Sequence, residues 1–197
     1  MTAEERLANS GTLLGDALTL RSKQITNSGL LQGDRALSLF ADRLDNLNGG
    51  TLYSAASLSL DLPALTNQGL ITTDGDLTLR GGHITNGGLL QSQHALEVAA
   101  GQLDNLSGGT LYGADGLRLT ISTLSNQGLI TTNGDLTLHG QDLVNGGEIN
   151  GVNVRGDLAT LDNRGRLLAD NAMTLSAATL NNDGTLAARQ LTLTADR

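Results

Sequence analysis

Residues 65–83, LTNQGLITTDGDLTLRGGH, contain the pattern that decides the fold. Leu65 and Asn67 flank one polar residue, and Leu77 and Leu79 flank another after an Asp-Gly-Asp turn. This alternation of aliphatic and polar residues, in short pieces between Gly, Asn and Asp, predicts short β-strands joined by turns. The glycines leave no periodic run long enough for a helix.

The same pattern recurs along the whole chain, with an aliphatic residue two positions before an asparagine in ten repeats. The steps between these asparagines are 18, 19, 21, 19, 19, 21, 19, 18 and 19 residues. A period near twenty predicts a stacked solenoid and argues against an ordinary globular domain. The ten asparagines are Asn9, Asn27, Asn46, Asn67, Asn86, Asn105, Asn126, Asn145, Asn163 and Asn182.

Four aliphatic residues in each repeat are too few to close a core alone, but stacked coils align them in four continuous columns. The prediction is an all-β fold, a right-handed parallel β-helix of about ten coils of 18–21 residues. The hand follows from the preference for right-handed crossovers between parallel strands. At ~4.8 Å per coil the rod is roughly 48 Å long. In the irregular eighth repeat we expect a tight turn at Asn150-Gly151 and a closing pair at Val152 and Val154.

Two structural explanations account for the recurring asparagine. Amides stacked at ~4.8 Å can donate to one neighbouring coil and accept from the other, which forms a ladder. Alternatively, asparagine is placed there because it tolerates the left-handed conformation of a turn. Under either explanation the ten asparagines are structural and do not form a ligand site.

A larger unit is present as well, because residues 27–85 and 86–144 align without gaps at an offset of 59. Each copy has one 21-residue step, whose two extra residues must bulge outward, and each bulge is followed by a tyrosine. Tyr53 and Tyr112, the only tyrosines, should lie on one side of the rod, roughly 14 Å apart. They are candidates for binding a surface carbohydrate or receptor. The alternative is that duplication of the three-coil unit copied a bulge and a tyrosine that have no binding function.

The residue content argues against most other functions. The net charge is −8 without a basic run, so nucleic-acid binding is not expected. The chain has no cysteine, and His83, His94 and His139 are isolated, so we predict neither a metal site nor a cofactor. The aspartates sit at turns, and Asp74 becomes Asn133 in the second copy. Paired catalytic carboxylates and sugar-binding aromatic platforms are not recognisable, so we expect no enzyme.

The domain organisation follows from the repeat. Residues 1–6 have no apolar signal region and are expected to be a non-repeat leader, followed by one β-helix domain at 7–197. Neither end of the repeat array looks like a polar cap, so unpaired strand edges predict end-to-end self-association of the fragment.

The unit L-x-N-x-G-x-[LI]-x-x-x-x-x-L-x-L resembles the repeats of filamentous haemagglutinin and the shafts of contact-dependent growth inhibition exoproteins. The resemblance covers residues 7–197. It implies a right-handed β-helical filament at the surface of a Gram-negative bacterium, exported by two-partner secretion through an outer-membrane transporter. The segment would be a shaft that presents a distal adhesive or toxin-delivery region, with the signal and secretion domain absent from this fragment. The alternative is an adhesive module that itself binds a surface receptor or glycan near Tyr53 and Tyr112.

Overall fold

The computed structural model describes residues 1–195 and contains nineteen β-strands and no helix within them. Consequently, these residues include no helix long and apolar enough to cross a membrane. The strands are β1 Arg6–Asn9, β2 Thr12–Arg21, β3 Gln24–Asn27, β4 Leu30–Phe40, β5 Arg43–Asn46, β6 Thr51–Ser54, β7 Leu58–Asn67, β8 Leu70–Thr73, β9 Leu77–Asn86, β10 Leu89–Ser92, β11 Ala95–Asn105, β12 Thr110–Gly113, β13 Gly116–Asn126, β14 Leu129–Thr132, β15 Asp135–Asn145, β16 Glu148–Asn163, β17 Arg166–Asn182, β18 Thr185–Ala187 and β19 Gln190–Ala195.

All strand pairs are parallel, and each coil contributes one segment to each of three stacked faces. The first face consists of the segments that end in the repeated asparagine, such as β1, β3 and β5. The second follows the next turn and includes β6, β8 and β10. The third leads into the first face of the following coil, so β7 and β9 are long strands that turn the corner without a break. The predicted β-solenoid of about ten turns is confirmed.

The core consists of the predicted columns of aliphatic residues. Register places Leu65 beside Ile84 on the first face and Leu52 beside Ile71 on the second. These side chains are buried, whereas Leu191 and Leu193 in the last coil remain 44% exposed. Each interior coil therefore buries its aliphatic residues between the coils on both sides.

A fifth interior column, which the sequence pattern did not reveal, lies where the third face meets the first. One or two small residues separate each bulky member from the next, and the column runs through Leu62, Gly81, Ala100, Ile121, Gly140, Leu158 and Ala177. Glycine is required where the neighbouring coil comes close: a Cβ on Gly140 would lie 1.9 Å from the carbonyl oxygen of Ile121. A cavity of only about 10 Å³, lined by residues that include Ile121 and Leu158, shows that the corner is almost filled.

The eighth coil corrects two predictions. Residues Glu148–Asn163 form one continuous strand, so Asn150-Gly151 is not a tight turn; the register instead shifts between Gly151 and Asn153. The closing pair is Val154 and Gly156, two residues later than the predicted Val152 and Val154, because Val154 pairs with Leu136 and Met173. The eighth coil is one residue shorter than most others, and the register shift between Gly151 and Asn153 accommodates this difference.

The third face is interrupted once within residues 1–195. The third-face part of β4 pairs with β2 and not with β7. The core stays closed across this interruption, because Leu37 and Leu39 on one side and Leu58 and Leu60 on the other are all buried. At the amino end, Thr2 forms a bridge with Arg21, so the expected leader contacts the first coil.

Candidate functional site

The repeated asparagines form a continuous ladder of side-chain hydrogen bonds along the rod. Each Nδ2 donates to the Oδ1 of the asparagine in the next coil, from Asn9 to Asn182, over nine successive bonds of 2.7–2.9 Å. From Asn27 to Asn163 the side chains are essentially inaccessible to solvent. All nine bonds point in the same direction, so the ladder has a donor end and an acceptor end.

The ladder also fixes the turn that follows each asparagine. Asn67 Nδ2, for example, lies 3.2 Å from the carbonyl oxygen of Gly69 in its own coil and 3.2 Å from that of Leu89 in the next. The Gly69 carbonyl oxygen also accepts from the Leu89 N–H at 2.9 Å, so the asparagine amide adds a second bond at a turn that already pairs with the next coil. Among residues 1–195, positive φ occurs only at glycines, so the alternative explanation, a left-handed asparagine, is wrong.

The two longer coils place their extra residues in outward turns and keep the ladder intact. Gly50 N donates to the Leu47 carbonyl at 2.9 Å, and Gly49 has a φ of 81°, which fits a type II turn. The second copy repeats this turn at Leu106–Gly109, with a φ of 87° at Gly108. Leu47 and Leu106, the first residues of the two turns, are 37% and 42% exposed, which the repeat pattern does not predict.

The tyrosines after these turns occupy one column of the second face. Tyr53 pairs with Thr72, Thr72 with Gln91, and Gln91 with Tyr112, which places the two rings three coils apart. The Tyr53 hydroxyl donates to Asp74 Oδ2 at 2.7 Å, and this hydrogen bond raises the pKa of Tyr53 by favouring the protonated phenol.

The second tyrosine makes the equivalent contact with reversed polarity. Asn133 Nδ2 donates to the Tyr112 hydroxyl at 2.7 Å. Both rings are partly exposed, but both hydroxyl groups are already bonded to the next coil. The geometry therefore gives each tyrosine a contact between coils, in addition to its accessible ring surface.

Charged side chains form local pairs between or within coils. Burial would raise the pKa of Asp45, but hydrogen bonds from Arg43 Nε at 2.8 Å and Gln24 Nε2 at 2.9 Å outweigh it and lower that pKa. A groove of about 500 Å³ near the amino end is lined by Asp42 and by Phe40, whose ring lies 3.8 Å from the Arg21 guanidinium. Asp45 and Arg21 thus each have a partner within the chain.

The three histidines lie far apart in separate pairs. His83 is 2.8 Å from Asp104, His94 is 2.7 Å from Asp115, and His139 is 3.4 Å from an aspartate of the following coil. Residues 1–195 contain no group of three histidine, aspartate or glutamate side chains that could hold a metal ion. The pairs are exposed contacts between coils.

Comparison with known proteins agrees with the repeat pattern. The family model described as haemagglutinin repeat matches residues 6–81, 53–89, 82–140, 94–160 and 150–196. Toxin CdiA of Escherichia coli is 36% identical over 199 residues, and deoxyribonuclease CdiA of Dickeya dadantii (strain 3937) is 37% identical over 199 residues. These matches cover 80% and 86% of this chain but only 6% of each relative. No solved structure matches the chain.

Proposed function

The chain belongs to the haemagglutinin-repeat family, and we propose from this premise that it is a segment of the shaft of a large secreted surface exoprotein. The chain spans about 6% of the length of the relatives it matches, so most of such a protein lies outside the repeats described here. The shaft would hold a distal adhesive or toxin-delivery region away from the producing cell.

The observation that supports this function is the uninterrupted asparagine ladder. A shaft must resist bending and unfolding along its full length, and a hydrogen-bond ladder beside continuous aliphatic columns gives every coil the same two neighbours. At ~4.8 Å per coil, the ten coils span roughly 48 Å of axial length. Reach and stiffness are therefore properties of the repeat itself.

Export and location are proposed on the same basis. An exoprotein of this kind would leave a Gram-negative cell by two-partner secretion, through a dedicated outer-membrane transporter, and remain at the surface or be released. We propose that residues 7–197 form one repeat domain within it. The right-handed sense of the coil stays a prediction.

We further propose that this segment has no catalytic role. The words toxin and deoxyribonuclease name whole relatives of which this chain matches 6%. The histidines of this chain lie in separate exposed pairs with aspartate, which offers no shared site for an acid and a base around one substrate. Nuclease activity would accordingly belong to another part of such an exoprotein.

The decisive test removes whole coils from the full-length exoprotein. Deleting residues 86–144 takes out three coils and lets Asn145 follow Thr85 in register, which shortens the shaft by roughly 14 Å. We expect normal surface display and normal activity of the distal region. The matched control deletes residues 86–134, which is not a whole number of coils, and should impair folding and display.

The same experiment distinguishes the adhesive alternative, which the comparisons do not favour. If the in-register deletion is displayed normally but no longer binds target cells, the segment is an adhesive module and the shaft proposal is wrong. Binding through Tyr53 and Tyr112 stays a prediction, tested by measuring cell binding of the isolated chain and of its Tyr53→Ala/Tyr112→Ala variant. Saturable binding that is lost in the variant would assign the site to these rings.

A further inference from the structure

The sequence contains five Asn-Gly dipeptides, which share one reactive chemistry. The backbone nitrogen of the glycine attacks the side-chain carbonyl carbon of the asparagine, a new C–N bond forms, and ammonia leaves. Water then opens the resulting succinimide to aspartate or isoaspartate. Glycine favours this step because it has no side chain to hinder the approach. The five asparagines are Asn48, Asn86, Asn133, Asn145 and Asn150.

We propose that the folded chain deamidates selectively at Asn48. The five dipeptides are equivalent in sequence, so the selection must come from the structure. Two conditions matter: the asparagine amide must be able to turn toward the glycine nitrogen, and that nitrogen must not be held by another group.

Two of the dipeptides are protected by the ladder. Asn86 and Asn145 are completely buried, and each donates to the next ladder asparagine at 2.8–2.9 Å. The Gly87 and Gly146 nitrogens donate to carbonyl groups of the preceding coil, both at 2.8 Å. Reaction there requires local opening of the coil. The ladder thus shields the asparagines on which it depends.

The other two restrained dipeptides are held by side-chain contacts. Asn150 lies within β16 and donates to Glu148 Oε1 at 2.8 Å. Asn133 is exposed, but its Nδ2 bonds the Tyr112 hydroxyl, and the Gly134 nitrogen donates to Thr132 Oγ1 at 3.0 Å. In the Asn133-Gly134 dipeptide, therefore, both the side-chain amide and the glycine nitrogen that would attack it are engaged in hydrogen bonds.

Asn48 meets both conditions. It is exposed at the tip of the outward turn, and within residues 1–195 neither its side chain nor the Gly49 nitrogen has a hydrogen-bond partner. The turn is closed by the bond from the Gly50 nitrogen to the Leu47 carbonyl oxygen, which does not involve the central peptide between Asn48 and Gly49. A Cβ built on Gly49 would have only the Ser28 carbonyl oxygen nearby, at 3.9 Å, so the space for rearrangement is present.

The modification would add a negative charge beside the exposed Leu47 without touching the ladder, whose member Asn46 lies behind the turn. The second copy of the 59-residue unit would not undergo this change. Ser107 occupies the equivalent position in the second turn, which has the same geometry around Gly108 but no amide to lose.

Peptide mapping by mass spectrometry during incubation at mildly alkaline pH tests the proposal. In the folded 197-residue chain, deamidation at Asn48 should be at least about tenfold faster than at Asn86 or Asn145, because the ladder sites react only after opening. In guanidinium the five rates should converge. The variant Ser107→Asn should gain a second reactive site, and Asn48→Ser should lose the first.

The proposal is overturned if Asn133 or a ladder asparagine reacts as fast as Asn48 in the folded chain. It is overturned equally if Asn48 reacts at least about tenfold more slowly in the folded chain than in guanidinium, which would show that the turn protects it. Inertness of the new asparagine in Ser107→Asn would contradict the geometric argument, because both turns share the same backbone.

Discussion

Replacing Asn126 by alanine would remove one member from the middle of the asparagine ladder. Its side chain accepts from Asn105 Nδ2 at 2.8 Å and donates to Asn145 Oδ1 at 2.8 Å. It also donates to the carbonyl oxygens of Gly128 at 3.3 Å and Glu148 at 3.2 Å. The side chain is completely buried, so water does not replace these partners without rearrangement.

The expected loss follows from the groups left behind. Asn145 Oδ1 would lose its donor from the ladder, and an unsatisfied buried acceptor costs ~1–3 kcal/mol. The carbonyl oxygens of Gly128 and Glu148 would also lose a donor. These two hydrogen bonds are long, so each should contribute at the lower end of the usual ~0.5–1.5 kcal/mol to the free energy of unfolding. After partial relaxation, we expect the free energy of unfolding to fall by ~2–4 kcal/mol.

The measurement is equilibrium unfolding in guanidinium, followed by circular dichroism and by hydrogen exchange of the coils on either side. The matched control is Asn182→Ala, at the exposed end of the ladder. Asn182 donates only to Gly184, at 3.3 Å, and accepts the final ladder bond from Asn163, whose amide keeps the carbonyl oxygens of Gly165 and Thr185 as acceptors. That variant should change the free energy of unfolding by about 0.5 kcal/mol, as other surface substitutions do. Exchange protection should fall mainly next to position 126, since solenoid coils contact only their neighbours.

Equal and small losses in the two variants would refute the reasoning. They would mean that the aliphatic columns alone determine stability and that the ladder makes no net contribution. A large loss for Asn182→Ala would be equally damaging, because no buried group is left without a hydrogen-bond partner in that variant.

Three further perturbations test the packing and the charges. Leu103→Ala should lower the free energy of unfolding by ~2–5 kcal/mol in chemical denaturation because Leu103 is completely buried, whereas Leu193→Ala, at an exposed position, should cost much less. Gly140→Ala should lower the melting temperature in calorimetry because its Cβ would meet a carbonyl oxygen at 1.9 Å, while Gly11→Ala, with nothing within 4 Å, should change it little. The pKa of Asp45 is lowered in the fold, so its stabilisation should be fully present above the unfolded pKa of about 3.9 and be lost as pH falls through the folded pKa. The stability difference between the chain and Asp45→Asn should therefore shrink in acid unfolding experiments, and a difference that is independent of pH would contradict this assignment.

The coiled architecture could be predicted from the sequence because its determinants are local and repeated. Alternating leucines such as Leu77 and Leu79 fix which side chains point inward, and the regular spacing fixes which coils meet. The relative position of Tyr53 and Tyr112 followed from the copied unit for the same reason. The hydrogen bonds of the two tyrosines could not be predicted in the same way. Their partners, Asp74 and Asn133, come from the next coil, at a turn whose conformation the repeat pattern does not specify.

The errors arose where a pattern had more than one structural solution. Val152 and Val154 alternate like a closing pair, but the inward positions belong to Val154 and Gly156. Leu175 of the next coil occupies the space at that glycine, where an added Cβ would lie 2.8 Å from its Cδ2. Compensation of this kind between coils has no signature within a single repeat. The exposure of Leu47 could not be predicted, because an aliphatic residue next to a ladder asparagine is typical of the core.

The corner column that runs through Leu62, Gly81 and Ala100 resumes with Ile121, Gly140 and Leu158. One bulky residue is followed by two small ones in the first set, so each bulky side chain is accommodated by its smaller neighbours. A gene rearrangement that copies one coil alone could bring two bulky side chains into adjacent layers. Copying three coils preserves the order at the junction, as the 59-residue unit does when Ile121 follows Ala100. The corner column is therefore compatible with duplication of the whole three-coil unit, whereas duplication of the coil that carries Leu62 alone would place two leucines in adjacent layers.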